Sequence, residues 1–532
     1  MGIAVLTFPL VGAYLAIVWL IWPIVNYFRD PKGLRKYQSL FFLSGITDLP
    51  YCYVSSRGFR SKSITEAHKN LNAPILRIGP NNLSFGDVSA IKDIYGHSTQ
   101  CIKDLKYSIT GGPHPNIFDV VDKRKHSEKR KRLSAAFAIK NLVNWEYKVA
   151  DTTARLLHAF DQRCTAPLPS NCTTPAKDEL TIDFNHWINL FTIEAINVIA
   201  LSSKLGVLEQ GDDLVTAQRM DKSTYKAHYR KAQNKAAFAT SHFVWDYQNF
   251  HLLTSISKLF PRWRRIWGDA EPWKDVIYHQ TVTRLNRYQN GEKLDDFFAS
   301  LMETKSGEPY NLEFGEILGD VGAVIDAGAD TTAIALTQVM ELLIRHPAHL
   351  KTLREEVDAV FENETVALFD KVRNLPFLRA CLDEAMRIIP PTSAGLPRRT
   401  PPEGAMILGE WIPGNTSVSM TAYATHHDPN VFLNPEEFNP HRWMDPAERK
   451  RMEPYFIPFS TGGRGCIGRN ISYLEQTIML ASLVHRYEFA LPSPEWKLER
   501  FEAFNLLMGK MPMKIWRRTD VPKGDLAISS GI

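Results

Sequence analysis

The sequence predicts a mainly α-helical protein with a minor β part, folded as one large domain behind an apolar amino-terminal segment. Helical patterns dominate residues 133–288 and 313–345, whereas residues 390–459 are interrupted by proline and glycine in the manner of short strands and turns. No internal repeat or long low-complexity linker divides the chain. Its 532 residues, 44% of them hydrophobic, are enough to bury a large core.

Composition excludes several classes of protein. A charged fraction of 23% with 11% aromatic residues excludes a disordered or collagenous chain. A mean hydropathy of −0.23 excludes a polytopic membrane protein. The net charge of +5 is too small to indicate nucleic-acid binding, and it suits an acidic partner or an anionic surface. Six cysteines without a Cys-x-x-Cys pair do not resemble a secreted disulfide framework.

The amino terminus has the pattern of a membrane anchor. Residues 2–28 carry no charged side chain, and basic residues follow at once: Arg29, Lys32, Arg35 and Lys36. This order is opposite to that of a cleavable signal peptide. We therefore expect residues 1–28 to form a transmembrane signal anchor, with the rest of the chain in the cytosol. A buried core helix is the alternative.

The remaining elements follow in order along the chain. Residues 75–78 and 82–85 are typical of strands on either side of Gly79-Pro80. Residues 163–178 are expected to form a surface loop. The longest predicted helix, residues 313–345, ends before Pro347. Its acidic side chains, among them Glu313, Glu316, Asp320, Asp326 and Asp330, argue against a second membrane span and place it inside a globular domain.

Cys466 stands in a glycine-rich loop, FSTGGRGCIG, that covers residues 459–468 and precedes an apolar helical pattern. Its glycines permit tight turns and the close approach of a flat group. Backbone N–H groups and the positive end of the following helix stabilise a thiolate. Arg464 adds a cation that could meet a carboxylate. A cysteine held in this way suits an axial iron ligand or a catalytic nucleophile, and a passive cysteine in a turn is the alternative.

The pattern Phe-x-x-Gly-x-Arg-x-Cys-x-Gly resembles the heme-binding loop of the cytochrome P-450 superfamily. Three further patterns of that family occur in the expected order: AGADTT at residues 327–332, EAMR at 384–387 and FNPHRW at 438–443. His441 stands where the family commonly has glutamate. The resemblance implies a cytochrome P-450 fold with a catalytic domain over residues 29–517 and a carboxy-terminal tail over 518–532.

The resemblance implies a heme b cofactor whose iron is axially ligated by Cys466, the metal ligand. Such a thiolate donates electron density to the iron. The cofactor-binding residues implied are Cys466, Phe459, Gly462, Arg464, Gly468, His126, Arg130 and Arg398. His126, Arg130 and Arg398 are the candidates for the heme propionates, and His126 stands where the family has tryptophan.

Catalytic and structural roles are implied in the same way. Asp330 and Thr331 are expected to supply protons during catalysis, with Gly328 opening a groove for O2 beside them. Glu384, Arg387 and Arg442 are expected to form a buried carboxylate–guanidinium network that folds the region around the heme loop. An exposed i,i+3 pair of little energetic value is the alternative for Glu384 and Arg387.

The function implied is that of a membrane-anchored heme-thiolate monooxygenase that uses O2. Electrons would come from NADPH through cytochrome P-450 reductase, with cytochrome b5 as a further donor, and the basic segment 122–132 is expected to meet the acidic reductase. Residues 396–399 and 423–443 resemble microsomal fungal enzymes of specialised metabolism. This resemblance implies the endoplasmic reticulum membrane, a hydrophobic, aromatic or polyketide-like substrate, and no nucleic-acid partner.

The segments expected to face the substrate are residues 97–120, the aromatic stretch 225–260, the residues after Pro391 and those near Leu506. For the aromatic stretch, ordinary packing or membrane contact is the alternative. Two other functions stay open from the sequence. One is a heme-thiolate enzyme that rearranges or dehydrates its substrate, which Asp330 and Thr331 disfavour. The other is a non-catalytic heme protein, for which the sequence shows no second axial ligand.

Overall fold

A computed structural model describes residues 17–134, 136–169 and 172–519. Most of the expected anchor, residues 1–16, and nearly all of the expected tail therefore lie outside the described residues. The described chain begins with a π-helical turn, Ile17–Ile21, that continues into the helix Trp22–Arg29. Among the described residues, none of the helices combines the length and the apolar character that crossing a bilayer requires.

Helices make up most of the described chain. The α-helices are Trp22–Arg29, Leu49–Ser56, Arg60–Asn70, Ala90–Tyr95, Ser108–Gly111, Lys123–Ser134, Ile139–Asn144, Glu146–Asp161, Phe184–Leu201, Val207–Gln210, Tyr229–Phe243, Phe250–Ser257, Pro261–Ala270, Pro272–Gln289, Phe297–Met302, Phe314–Arg345, Pro347–Asp358, Phe369–Val372, Pro376–Ile388, Ala422–His426, Pro446–Met452 and Arg469–Arg486.

Fifteen short strands are found among the described residues. They are β1 (Gln38–Ser39), β2 (Ile75–Gly79), β3 (Asn82–Phe85), β4 (Ile102–Lys103), β5 (Ile182–Asp183), β6 (Leu214–Gln218), β7 (Thr224–His228), β8 (Arg398–Arg399), β9 (Ala405–Ile407), β10 (Glu410–Ile412), β11 (Ser417–Ser419), β12 (Tyr487–Ala490), β13 (Arg500–Glu502), β14 (Leu506–Met508) and β15 (Pro512–Arg517).

The central helix, Phe314–Arg345, forms the axis of the domain. Glu313 precedes it and Pro347 opens the next helix, as the sequence predicts. The central helix packs against Phe184–Leu201, Pro376–Ile388 and Arg469–Arg486. These helices share the largest hydrophobic core, in which Leu336, Val339 and Met340 have no exposed surface. Burial of this apolar surface is the main stabilising contribution to the fold.

The largest sheet has six strands in the order β1-β2-β3-β11-β8-β4. β2 and β3 are the two strands predicted beside Gly79-Pro80, and they pair antiparallel with Ile75 opposite Phe85. β11 joins β3 in parallel, so the region after residue 390 folds back onto the amino-terminal strands. The prediction of short strands and turns for residues 390–459 is confirmed as far as Ser419 by β8–β11, whereas the rest of that region contains the short helices Ala422–His426 and Pro446–Met452.

One element within the predicted helical region is a β-hairpin. β6 and β7 pair antiparallel, with Leu214 opposite His228, where the sequence favoured helix. The side chains of β6 alternate between partly buried and buried, which is the period of a strand. Lys222 adopts a left-handed conformation, with φ of 71°, in the turn between the two strands. Such a turn matches the twist of a hairpin and stabilises it over a helix.

Candidate active site

The cysteine loop is held by its own backbone. The Cys466 N–H donates to the Phe459 carbonyl (2.8 Å), and a 3-10 turn over Gly462–Arg464 lies between them. Burial raises the pKa of the Cys466 thiol. The backbone N–H groups of Gly468 and Arg469 and the guanidinium of Arg130 oppose this rise in pKa. Cys466 is nevertheless an exposed residue, so its sulfur is open to a ligand. Burial thus favours the neutral thiol overall, while the nearby donors are placed to stabilise the anionic form.

Gly462 is required by the close approach of another backbone. Its φ is +68°, and a Cβ atom here would lie 2.0 Å from the Tyr95 carbonyl oxygen. A side chain cannot be accommodated without moving the helix Ala90–Tyr95. Gly468, by contrast, precedes the helix Arg469–Arg486 as its N-cap, and its N–H points toward the cysteine sulfur. The ring of Phe459 lies against Tyr473, with 5.1 Å between ring centroids, and so packs beside the loop.

Cations from distant parts of the chain lie close to the cysteine loop. Arg464 donates to the carbonyls of Val120 (2.6 Å) and Val121 (3.0 Å), and Arg130 donates to the Gly465 carbonyl (2.7 Å). Arg398 lies with its guanidinium carbon 5.1 Å from the Tyr95 ring centroid. In the part of the chain that the structure describes, none of these three arginines forms an ion pair with a carboxylate.

The mutual repulsion of these cations is visible in their pKa values. Burial, followed by Arg398, lowers the pKa of Arg464 to about 10. Burial and the neighbouring cations, Arg464 first, lower the pKa of His126 to about 3. The pKa of Lys103, which the sequence did not single out, falls well below its usual value for the same reasons. A buried group of like charges that forms no ion pair with a carboxylate among the described residues is suited to bind an anionic ligand.

These residues fit a heme. The loop offers one thiol as an iron ligand, its glycine backbone permits close approach, and the unpaired cations can bind two carboxylates. Cys466 would hold the iron, while His126, Arg130, Arg398, Arg464 and Lys103 would meet the propionates. The sequence expectation that Arg464 could meet a carboxylate is compatible with this arrangement, since its guanidinium contacts only backbone oxygens in the described protein.

The structure brings Glu384, Arg387 and Arg442 together. Arg387 donates two hydrogen bonds to the Glu384 carboxylate (both 2.9 Å), and Arg442 Nε donates a third (3.0 Å). The indole of Trp443 and the backbone N–H of Asn439 complete five donors to one carboxylate. Glu384 and Arg387 have no exposed side-chain surface. The pair is therefore a buried, fully bonded group, and the alternative of an exposed i,i+3 pair is wrong.

Arg387 also ties the network to the segment before the cysteine loop. It donates to the carbonyls of His426 (2.9 Å), Pro435 (2.7 Å) and Glu437 (3.0 Å). His441, in the position where glutamate is common, is outside this network. Its ring instead lies 5.0 Å from that of Phe377 and 5.4 Å from that of His349, measured between centroids.

Asp330 and Thr331 lie in the middle of the central helix. The Thr331 hydroxyl donates to the Ala327 carbonyl one turn earlier (3.0 Å). The Asp330 carboxylate accepts from Arg230 (2.8 Å) and from the side-chain amide of Asn505 (2.9 Å). Sequence reasoning missed Arg230 and Asn505, because they are far along the chain from Asp330 and belong to none of the four motifs.

Gly328 serves close packing of two helices. A Cβ atom at this position would lie 2.6 Å from the Ile196 side chain of the helix Phe184–Leu201. The Thr192 hydroxyl of that helix donates to the Ala329 carbonyl (2.6 Å). The expectation that Gly328 opens a groove for O2 is therefore not met, because the Ile196 side chain occupies the space beside Gly328.

The aromatic stretch 225–260 divides into two groups. Phe238 packs against Phe501 and Trp263, at 5.1 and 6.2 Å between centroids, and thus connects three separate elements. Trp245 instead lies buried against Tyr51 (4.7 Å), under the guanidinium of Arg60 (4.8 Å). Trp245 is thus a core residue and does not face the substrate cavity.

Comparison with known proteins agrees with this geometry. The family model described as cytochrome P450 matches residues 68–516. A cytochrome P450 monooxygenase of Aspergillus terreus is 29% identical, covering 86% of this chain and 91% of the relative. Tryprostatin B 6-hydroxylase of Neosartorya fischeri is 26% identical, covering 87% and 78%. A crystal structure of a cytochrome P450 superposes with a TM-score of 0.69 over 91% of this chain and 99% of that one, at 19% identity.

The matched residues include the cysteine loop, the buried Glu384 network and the central helix, and they span most of the chain. The fold is mainly helical with a minor sheet part, as in the solved structure. The chain belongs to the cytochrome P450 family, and it is a monooxygenase whose heme iron is ligated by a cysteine.

Proposed function

We propose that this enzyme oxidises a hydrophobic, aromatic specialised metabolite, with Cys466 as its iron ligand and Asp330 and Thr331 as its proton-delivering pair. The observation that carries this proposal is the exposed Cys466 in its glycine loop, with Arg130, Arg398 and Arg464 close to that loop. When bound, the heme activates O2 for the transfer of one oxygen atom to the substrate. Several relatives bear the names of fungal specialised metabolism, among them the tryprostatin B 6-hydroxylases.

The residues of the chain divide the work. The backbone N–H groups of Gly468 and Arg469 stabilise the Cys466 thiolate, and Arg130 fixes the loop through Gly465. Thr331 holds a hydroxyl on the central helix, where it can pass a proton. Arg230 and Asn505 keep the Asp330 carboxylate in place. Phe238 and Phe501 supply aromatic surface for an apolar substrate.

The partners and location belong to the same proposal. The enzyme is anchored in the endoplasmic reticulum membrane by residues 1–28 and receives electrons from NADPH-cytochrome P450 reductase, with cytochrome b5 as a further donor. The exposed cations of the helix Lys123–Ser134 support this partner, since an acidic reductase would be steered to them. Exposed Trp22 and Phe28 are consistent with a neighbouring lipid headgroup region.

The test is to express the full chain with a fungal reductase and compare metabolite profiles with those of Cys466→Ala under ¹⁸O2. One labelled oxygen atom should enter a product that only the wild-type enzyme forms. An unlabelled, rearranged or dehydrated product would contradict monooxygenation of this substrate class. The anchor is tested separately, by sedimentation of the microsomal fraction. Active protein in the soluble fraction without detergent would contradict it.

A further inference from the structure

Asp326 places a carboxylate on an exposed turn of the central helix. The helix is buried along most of its second half, yet Asp326 and Ala327 are exposed one turn before Asp330 and Thr331. Ala327 is the residue whose carbonyl accepts the Thr331 hydroxyl. The exposed turn therefore belongs to the same side of the helix as the proton-delivering pair.

The position of this carboxylate is fixed by a chain of hydrogen bonds. The Gln233 side-chain amide donates to Asp326 Oδ1 (2.7 Å), and Arg230 Nη1 donates to Gln233 Oε1 (2.8 Å). Both donors lie on the helix Tyr229–Phe243. The second oxygen, Asp326 Oδ2, accepts no hydrogen bond from the residues that the structure describes. One oxygen is thus held and the other is free to accept.

The charges around Asp326 do not balance. Arg230 forms its ion pair with Asp330 (2.8 Å), and no cation lies within ion-pair distance of Asp326 in the described chain. Asp330 and Asp119 add negative charge nearby, whereas Arg230 adds the positive charge. Burial raises the pKa of Asp326 to about 6, so most molecules still carry the charge at neutral pH. A cation or N–H donor from a ligand would relieve this imbalance.

We propose that Asp326 determines substrate specificity by binding a protonated amine of the substrate through Oδ2. This inference rests on the proposed function and narrows its substrate class to aromatic metabolites that carry a basic nitrogen. Gln233 positions the carboxylate, and Arg230 keeps the neighbouring Asp330 paired, so that the amine meets one unpaired negative charge. A hydrophobic ligand without the nitrogen would fill the same cavity while leaving the carboxylate without a partner, at a cost in affinity.

The experiment compares two ligands of the same shape with the full-length holoenzyme. The probes are N,N-dimethyl-3-phenylpropan-1-amine, which is protonated at neutral pH, and its carbon isostere (4-methylpentyl)benzene. Dissociation constants are measured by equilibrium dialysis and by the Soret difference spectrum. We expect the wild-type enzyme to bind the amine about tenfold more tightly than the isostere, and Asp326→Asn to remove this preference while changing the affinity for the isostere less than about twofold.

Asp221→Asn is the matched control, because it removes the same charge from an exposed turn far along the chain. It should keep the preference for the amine. If Asp326→Asn weakens the binding of both ligands equally, Asp326 has a role in packing and the proposal is overturned. The absence of any preference for the amine in the wild-type enzyme would overturn it as well. The red-shifted Soret band of the ferrous carbon monoxide complex and ¹⁸O incorporation are recorded in parallel. The absence of either signal in the wild-type enzyme would count against the proposed function. A missing preference for the amine, with both signals present, would count only against the proposed role of Asp326.

Discussion

Two carboxylate centres of this enzyme carry their charge in opposite ways. Glu384 accepts hydrogen bonds from two arginine side chains, an indole and a backbone N–H, and is completely enclosed. On the central helix, Asp330 pairs with one arginine, whereas among the described residues Asp326 pairs with none and one of its oxygens has no partner. The first centre is saturated and suited to hold a fold. The second keeps unsatisfied charge at a cavity, where a ligand or a proton can use it.

The comparison predicts the largest effect at the saturated centre. Glu384→Gln removes the charge that Arg387 and Arg442 share, and leaves two guanidinium groups in a dry environment. Breaking a buried pair in this way costs about 3–5 kcal/mol. We expect the free energy of unfolding, measured by denaturant titration of the holoenzyme, to fall by that amount, with loss of heme at lower denaturant concentrations.

The matched control is Glu448→Gln, which breaks a pair with Arg451 of similar length (2.8 Å) on the surface. Its cost should be within about 0.5 kcal/mol, because exposed pairs are weak. Equal effects of the two substitutions would show that the Glu384 network is not the stabilising centre described above.

Much of the saturated centre could be predicted from the sequence. Glu384 and Arg387 are three residues apart on one helix, and Arg442 and Trp443 belong to a recognisable motif, so their contact follows from local spacing and family resemblance. The central helix and the cysteine loop were predictable for the same reason: a long apolar period ending at Pro347, and glycines at fixed offsets from Cys466.

The polar centre on the central helix could not be predicted in this way. Arg230 and Asn505 reach Asp330 from positions 100 and 175 residues away. Their side chains meet only because two helices and a turn pack together, and no local pattern encodes that packing. The β6–β7 hairpin was missed for a related reason, since its strands are short and lie among strong helical segments. The sequence left open whether the aromatic stretch 225–260 covers the substrate or packs in the core, because composition does not distinguish the two, and Trp245 belongs to the core.

Glu475 extends the comparison to a carboxylate of a third kind. It lacks the hydrogen-bond donors of Glu384, and it lacks the solvent exposure of Asp326. It has no exposed surface, and burial raises its pKa from 4.5 to about 8, with the Thr332 hydroxyl opposing the rise. Since the folded-state pKa lies above the unfolded value, the contribution of Glu475 to stability is complete below about pH 4.5 and is lost as pH rises through about 8.

We therefore expect the wild-type free energy of unfolding to fall relative to that of Glu475→Gln by roughly 1 kcal/mol per pH unit between about pH 5 and 8. The difference between the two proteins, measured by denaturant titration at several pH values, isolates this residue from other titrating groups. Glu495→Gln, an exposed carboxylate, serves as the control. A difference that does not change with pH would show that Glu475 is ionised in the folded protein.

The cysteine loop, like the Glu384 network, is held in one conformation, and two of its glycines differ in how much they contribute to this. Gly462→Ala places a Cβ atom 2.0 Å from the Tyr95 carbonyl at a left-handed φ, whereas Gly463→Ala meets nothing within 4 Å. We expect the first substitution to cost about 1–3 kcal/mol of stability and to lower heme retention. The second should have less than half that effect. Heme content after gel filtration and the denaturation midpoint measure both, and the reverse ranking would contradict the observed loop conformation.

The smallest effect on stability is expected at Thr331, beside Asp330 on the central helix. Thr331→Ala removes the hydroxyl that donates to the Ala327 carbonyl, without creating a buried unpaired charge, so the protein should fold and bind heme normally. Proton delivery then depends on a water molecule that occupies a less favourable position than the hydroxyl. The product formed per NADPH consumed should fall about tenfold, because positioned proton transfer contributes on the order of 10²-fold or more and water replaces part of it. Thr331→Ser keeps the hydroxyl and should restore most of the coupling. If Thr331→Ala retains full coupling between NADPH consumption and product formation, the Thr331 hydroxyl has no part in proton delivery. Only the carboxylates of Asp326 and Asp330 would then remain as functional groups of the second centre.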